Sequence, residues 1–375
     1  MFFKEVFGLE DVKDKLIQSV SSNHLSHALL FLGHEGSANL ALALAFASYL
    51  NCTNRLKDDA CGECPSCIKN AKYIHPDLHF AFPVTSTKDK KGKDLVSLSF
   101  LEEWRNFLIQ DPYNTAVGWN NFLGGENKQL NITREESRQI IRNLALKPFE
   151  GEYKIMLIWL PEYMHPSAAN AILKILEEPA DKTLFLLVSN DQTKLLSTIL
   201  SRTQIVSIRS FSDNEIKDML VNQHFIDKKK ATQVAHLVDG NIQEALRLAR
   251  EVEDDSHKIF RDWMRTCYKG DVTDMVQWSS RFSELNKAGQ QTLFSYGLSI
   301  MRESLISLSG EFSLSRLIGD ELEFCKNLVK VLDSKKIELI TEELNKSSYH
   351  LERNANTRIL FLDLSIKVLR IFRND

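Results

Sequence analysis

Hydrophobic residues come in short unbroken blocks along the first half of the chain and at helical spacing along the second. Ala28-Leu29-Leu30-Phe31-Leu32 is such a block, the pattern of a strand covered on both faces. A glycine-bearing turn follows from Gly33 to Asn39, and Leu40–Leu50 then reads as a helix. The strand signal returns at Lys154–Leu160, at Thr183–Ser189 and, more briefly, at Gln204–Ile208. Between these blocks Thr133 opens a helix with acidic residues in its first turn. Ser167–Glu178 sets Ala168, Ile172, Ile175 and Leu176 along one helical side before Pro179 stops it, and Leu195–Leu200 is a short helix. Strand and helix alternate, which predicts a doubly wound α/β domain with a parallel sheet over residues 1–210.

From Ser212 onward the strand signal fades. Ser212-Asp213-Asn214-Glu215 opens a helix, and Lys228–Val238 and Ile242–Leu248 add two more around Asp239-Gly240, giving a small helical domain over 211–251. The acidic run Glu251–Asp255 reads as a hinge, and 252–375 as amphipathic helices. One stretch breaks the α/β pattern. Within residues 85–129 a lysine-rich run, Lys88–Lys93, and the Gly/Asn-rich Gly118–Asn127 flank a short helix near Phe100–Leu108, which reads as an insertion with a solvated lysine loop.

Composition adds limits. With 43% hydrophobic and 26% charged residues in 375, the chain is an ordinary globular protein of two or three domains. A net charge of −3 gives no global reason for tight, independent DNA binding, although a local basic surface can contribute inside an assembly. Neither a secretory leader nor a membrane span is evident, so the cytoplasm is the expected location.

Four of the six cysteines fall in Cys52-x₈-Cys61-x₂-Cys64-x₂-Cys67. In a reducing compartment this spacing points to a closed tetrahedral zinc shell, structural because no ligand position is left for water. Gly62, Glu63, Pro65 and Ser66 are expected to make the turns between ligands. Unpaired thiols or a redox CxxC are the alternatives. Cys267 and Cys325, in helical segments, read as core thiols.

The turn after the first strand has the outline of a phosphate-binding loop. A working loop follows G-x-x-x-x-G-K-[ST], with lysine on the β/γ-phosphates and the hydroxyl on Mg²⁺. Laid on Gly33-His34-Glu35-Gly36-Ser37-Ala38-Asn39-Leu40, the second motif glycine is Ala38, the lysine is Asn39 and the hydroxyl residue is Leu40. By itself the octapeptide reads first as a plain strand-to-helix connection.

Several blocks in order resemble the clamp-loader subunits of bacterial DNA polymerase III, a branch of the AAA+ proteins, and most specifically their delta-prime members. They are Ser26–Phe31, the four-cysteine insertion, His75-Pro76-Asp77, Lys147-Pro148-Phe149-Glu150-Gly151, Ala169–Pro179 and Ile199-Leu200-Ser201-Arg202-Thr203. The resemblance is specific over about residues 5–210 and diffuse beyond. It implies an AAA+ domain, a helical lid and an all-α collar. It also implies a Walker B acidic pair, which falls here on Trp159 and Leu160, with Glu162 displaced beyond Pro161. Active members carry a sensor arginine where this chain has Gln243. What the resemblance retains is an arginine finger: Arg202, with Ser201, would be offered to ATP on the adjacent subunit, where such a finger contributes about 10³–10⁵ in rate. The expectation is therefore a subunit with no active site of its own. Gly33, Gly36, Asn39, Trp159 and Leu160 would bind no ATP, zinc would be structural, and the partners would be gamma/tau and delta subunits, the sliding clamp and primer-template DNA. An ATP-hydrolysing gamma/tau-like subunit and a zinc-bearing DNA-binding module are the competing readings.

Overall fold

The computed structural model describes all residues except 23, 88–89, 126–127, 251–255, 311–316, 318 and 374–375. The hinge expected at Glu251–Asp255, together with Lys88, Asp89 and Asn127 of the insertion, lies outside the described residues. The chain divides into two units, one of Met1–Phe225 with Asp239–Ala245, the other of Ile226–Val238 with Leu246–Asp375.

The first unit is built on β1 (Ala28–Leu32), β2 (Leu78–Ala81), β3 (Lys154–Trp159), β4 (Thr183–Ser189) and β5 (Gln204–Ser207), in the order β2-β3-β4-β1-β5 with every pairing parallel. Its helices are α1 (Glu10–Ser21), α2 (Asn39–Leu50), α3 (Pro65–Ala71), α4 (Leu101–Gln110), α5 (Ala116–Phe122), α6 (Arg134–Leu144), α7 (Pro166–Glu177), α8 (Ser197–Leu200) and α9 (Asp213–Asn222). Strand alternation sorts the core into two layers. Leu30, Met156, Ile158, Phe185 and Leu187 meet Ile140, Leu144, Ala168, Ile172 and Leu176 from α6 and α7. On the opposite face Phe31 packs its ring 6.2 Å from that of Phe46 in α2. Every residue of α2 is buried, as an all-round apolar helix requires.

Two parts of this unit depart from the sequence expectation. Pro65 and Ser66 do not make a turn between cysteines. Cys64 caps α3 by accepting the N–H of Cys67, and Pro65 takes the first helical position, where its missing N–H costs nothing. Residues 85–129 are not merely a polar excursion: α4 and α5 enclose an aromatic cluster. Trp104 stacks on Phe82 at 4.3 Å and meets Trp119 at 5.3 Å, Phe107 lies 4.9 Å from Trp119, and the Trp119 indole donates to Pro83 O at 2.7 Å. Such pairs add about 0.5–1.5 kcal/mol each beyond area burial, enough to make the insertion a packed part of the domain. Lys90, within the lysine run, sits 4.3 Å over the Phe100 ring and pairs with Glu103.

In the second unit the helices are α10 (Lys228–Leu237), the end of α11 (Ile242–Arg250), α12 (Ser256–Lys269), α13 (Val272–Glu284), α14 (Lys287–Ser309), α15 (Gly319–Leu328), α16 (Ser334–Glu352) and α17 (Thr357–Arg373). They bury Phe260, Trp263, Phe282, Phe294 and Phe361 in one core, with the Trp263 indole donating to Ser365 Oγ at 2.9 Å. Cys267 and Cys325 are buried in this unit, as core thiols should be. Among the described residues no helix is long and apolar enough to cross a membrane.

Candidate functional site

The loop at the N-terminus of α2 keeps the outline of a phosphate cradle and fills it with protein. Gly36 has φ +78°, a conformation glycine adopts freely, whereas Ala38 has φ −84° and begins the helix without left-handed strain. A Cβ on Gly36 would fall 2.0 Å from Asn241 Oδ1, so a side chain from the start of α11 occupies that space. Ile242 N also donates to Gly36 O at 3.1 Å. Asn39, in the lysine position, turns inward and is 6% exposed. Its amide donates to Ser189 O at 3.2 Å and Asn190 Oδ1 at 2.8 Å, while its Oδ1 accepts Leu40 N at 2.8 Å. The short amide ties the ends of β1 and β4 together where a lysine would reach outward. Asn190 and Asn241 carried no sequence signal beyond being polar residues at the ends of apolar segments.

The two positions expected to carry the acidic pair are packed into the protein. Trp159 is 2% exposed and lies 5.0 Å from Trp104 and 6.2 Å from Phe107, and Leu160 is fully buried with φ +54°. Glu162 lies beside the strand ends and lines a cavity with Leu160, Asn190 and Glu35 of the loop. Its Oε1 accepts Asn190 N at 3.1 Å, its Oε2 is buried without a hydrogen-bond partner, and burial pushes its carboxyl above the ordinary range. Gln243, in the sensor position, donates to Asn114 Oδ1 at 2.8 Å.

Beyond the C-terminal end of α2 the four cysteines converge. Their sulfurs all lie within 4.8 Å of one another, with Cys52–Cys61, Cys52–Cys64 and Cys61–Cys67 at 3.6, 4.0 and 3.9 Å. A tetrahedron of zinc–sulfur bonds has an edge of about 3.8 Å, so the cluster is positioned to chelate a metal ion as a structural zinc site does. Cys61 N, Cys64 N and Cys67 N each donate to the preceding ligand's sulfur at 3.3, 3.3 and 3.4 Å, orienting the thiolates. Burial raises the Cys52 and Cys67 thiols above their ordinary value, and a metal cation is what reverses that penalty. Asp59, inside the cysteine loop, accepts Phe3 N and Lys4 N at 3.0 Å each, and Phe2 packs on the cysteines.

Asp77 explains why two distant sequence blocks travel together. Its carboxylate accepts the N–H groups of Phe149, Glu150 and Gly151 at 2.6, 2.8 and 2.7 Å. Burial opposes its ionisation, but those three bonds prevail and hold it below the usual carboxylate range.

Arg202 follows α8 with its side chain 30% exposed. It pairs with Glu177 at the end of α7 and donates to Thr198 O at 2.8 Å and Ser201 Oγ at 3.1 Å. The isolated chain thus brings Arg202 and Ser201 together and gives the guanidinium a partner of its own. An ion pair this exposed is worth about 0–1 kcal/mol, a small cost to release.

A family model described as DNA polymerase III, delta subunit, matches residues 8–212. DNA polymerase III subunit tau/gamma of Haemophilus influenzae is 26% identical over 255 residues, covering 66% of this chain and 30% of that protein. Subunit delta' of Bacillus subtilis is 25% identical over 252 residues, 67% of this chain and 62% of that protein. Subunit delta' of Yersinia pestis is 30% identical over 190 residues, 50% and 43% respectively. The match spans about a third of the tau/gamma relative and less than two thirds of either delta' relative.

Proposed function

The chain belongs to the DNA polymerase III delta subunit family, among the clamp-loader subunits, and on that premise we propose that it is a delta-prime-type subunit that hydrolyses no ATP itself. One observation carries this reading: Asn39, Trp159 and Gln243, standing where lysine, acid and sensor arginine belong, are each engaged by other residues of the chain. None is left facing a ligand. With these three positions engaged by the chain itself, the contribution to hydrolysis passes to the neighbour. Arg202 leaves Glu177 to place its planar cation on the adjacent subunit's ATP, with Ser201 beside it. Residues 211–251 serve as lid and 252–375 as collar. The partners are gamma/tau and delta subunits in the cytoplasm, and together they place the sliding clamp on primer-template DNA. The cysteine cluster is structural and takes no part in the chemistry.

Arg202→Ala tests the assignment. In the reconstituted complex it leaves assembly intact and lowers DNA-stimulated turnover at the adjoining site by about 10³-fold. Unchanged turnover removes the finger. The tau/gamma relative keeps a second reading in view, an ATP-hydrolysing subunit, and Mg²⁺-dependent ATP binding by the isolated chain would select it.

A further inference from the structure

The turn between α4 and α5 is placed against three sides of the cleft above the loop. Tyr113 sets its ring 6.3 Å from Phe211 and lies within hydrogen-bonding reach of the Phe7 main chain. Asn114 Oδ1 accepts the Gln243 amide at 2.8 Å, on the segment whose Asn241 covers Gly36. Ala116 is buried and lines, with Glu35 of the loop and with Leu160 and Asn190 at the strand ends, a cavity of about 520 Å³.

The turn is shaped before it makes these contacts. Asp111 Oδ1 accepts Tyr113 N at 2.8 Å, Asn114 Oδ1 accepts Thr115 N at 2.9 Å, and Thr115 Oγ1 accepts Gly118 N at 3.1 Å to cap α5. A Cβ on Gly118 would fall 1.9 Å from Asn114 Oδ1, so glycine there is what lets Asn114 lie back toward Gln243. The base of the turn is anchored at the end of β3, where Trp104 and Phe107 pack on Trp159. Trp159, standing where the acid is expected, therefore seats the helix that leads into the turn.

We propose that Asp111–Ala116 is a built-in brace at the rim of the degenerate nucleotide cleft, an intrachain plug that joins Phe211, the N-terminal Phe7 and the start of α11, whose Asn241 lies on the loop, without a ligand. In a working site bound nucleotide bridges such elements; here Tyr113 and Asn114 do so. The plug deepens the reading of a subunit without its own ATPase, but it rests on contacts within one chain and needs no assembly.

Hydrogen exchange on the full chain, without partners, tests it. Tyr113→Ala combined with Asn114→Ala leaves the Trp104–Trp119 cluster in place, and it should speed exchange at least tenfold in peptides covering 33–39 and 240–245 while β1, β3 and β4 stay protected. Faster exchange confined to 105–122, or none, overturns the plug. Gln243→Ala approaches the contact from the other side and should loosen 111–116. If the double variant fails to fold, as near-UV circular dichroism would show, this substitution decides alone, and unchanged protection at 111–116 sinks the proposal. Failure here leaves the clamp-loader reading standing, and failure to copurify with other subunits leaves the plug standing.

Discussion

Helix α2 leads from one loop into another, and the two are held in opposite ways. At its N-terminus Gly33–Ala38 keeps the path of a phosphate cradle and lacks the residues that would use it. Beyond its C-terminus the loop beginning at Cys52 keeps all four ligands. The difference lies in what holds each loop in shape. The first is tied by amide hydrogen bonds from Asn39 and by Asn241 lying on Gly36, so the chain alone holds its path, although Ser37 Oγ within it is buried without a hydrogen-bond partner. The second has a core of only Phe2, Ala60 and four cysteines, too little apolar area to fold by burial. Protein groups can hold a loop in shape where they meet it from several sides. Where they cannot, the ligand set is kept complete.

The largest effect should come from removing the metal. Structural zinc contributes about 10–16 kcal/mol of apparent binding energy in small zinc-dependent folds, so chelation or Cys64→Ser should open the segment 52–71. The N-terminal residues should loosen with it, because Asp59 holds Phe3 N and Lys4 N. Elemental analysis and limited proteolysis read both consequences. A zinc-free chain that resists cleavage in both segments would erase the contrast between the two loops.

That contrast was partly visible in the sequence. The cysteine spacing identified the ligands because metal geometry constrains spacing directly, and the buried strands at 28–32 and 183–189 announced themselves as unbroken apolar runs. Strand β2 did not: four residues, Leu78–Ala81, are too few to show a period. The role of residues 85–129 was illegible for a different reason. Trp104 and Phe107 look like any amphipathic helix face, and their partner Trp159 lies more than fifty residues away, where it stood out only as a missing acid. Asn114 and Gln243 are more distant still, and a single amide contact leaves no pattern in either segment.

The loop side offers a second, smaller effect through pH. Glu136 on α6 is 4% exposed and accepts Ser97 N at 2.6 Å, fastening the start of the insertion. Burial pushes its carboxyl up to about 7 from 4.5, with the Ser97 bonds offsetting part of the penalty. A folded value above the unfolded one means that the group's stabilising share is whole below about 4.5 and is lost as pH rises through about 7. At pH 8 the loss is about 3 kcal/mol. Glu136→Gln keeps an acceptor for Ser97 N and should flatten urea-unfolding stability between pH 5 and pH 8. A variant with the wild-type slope would place the titration elsewhere.

The smallest effect is the sharpest test of the comparison, because it separates two ways in which Asn39 can hold the empty loop. Its Oδ1 accepts the next N–H, Leu40 N, in the first turn of α2, which Ala38 leaves without a side-chain cap, whereas its amide donates to Ser189 O and Asn190 Oδ1 at the strand ends. Asn39→Ala removes both roles and should cost about 1–3 kcal/mol in urea unfolding. Asn39→Asp separates them. An aspartate keeps the acceptor and favours a helix N-terminus, so if capping dominates it should match or exceed asparagine. If the strand-end donor dominates, a carboxylate facing those two oxygens should be worse than alanine. The geometry favours the second outcome, since three acceptors, Gly33 O among them, are held by the amide and one donor, Leu40 N, meets the oxygen. An aspartate variant as stable as the wild type would mean that the loop still prefers negative charge at its mouth, and that its resemblance to the self-satisfied end of the comparison is superficial.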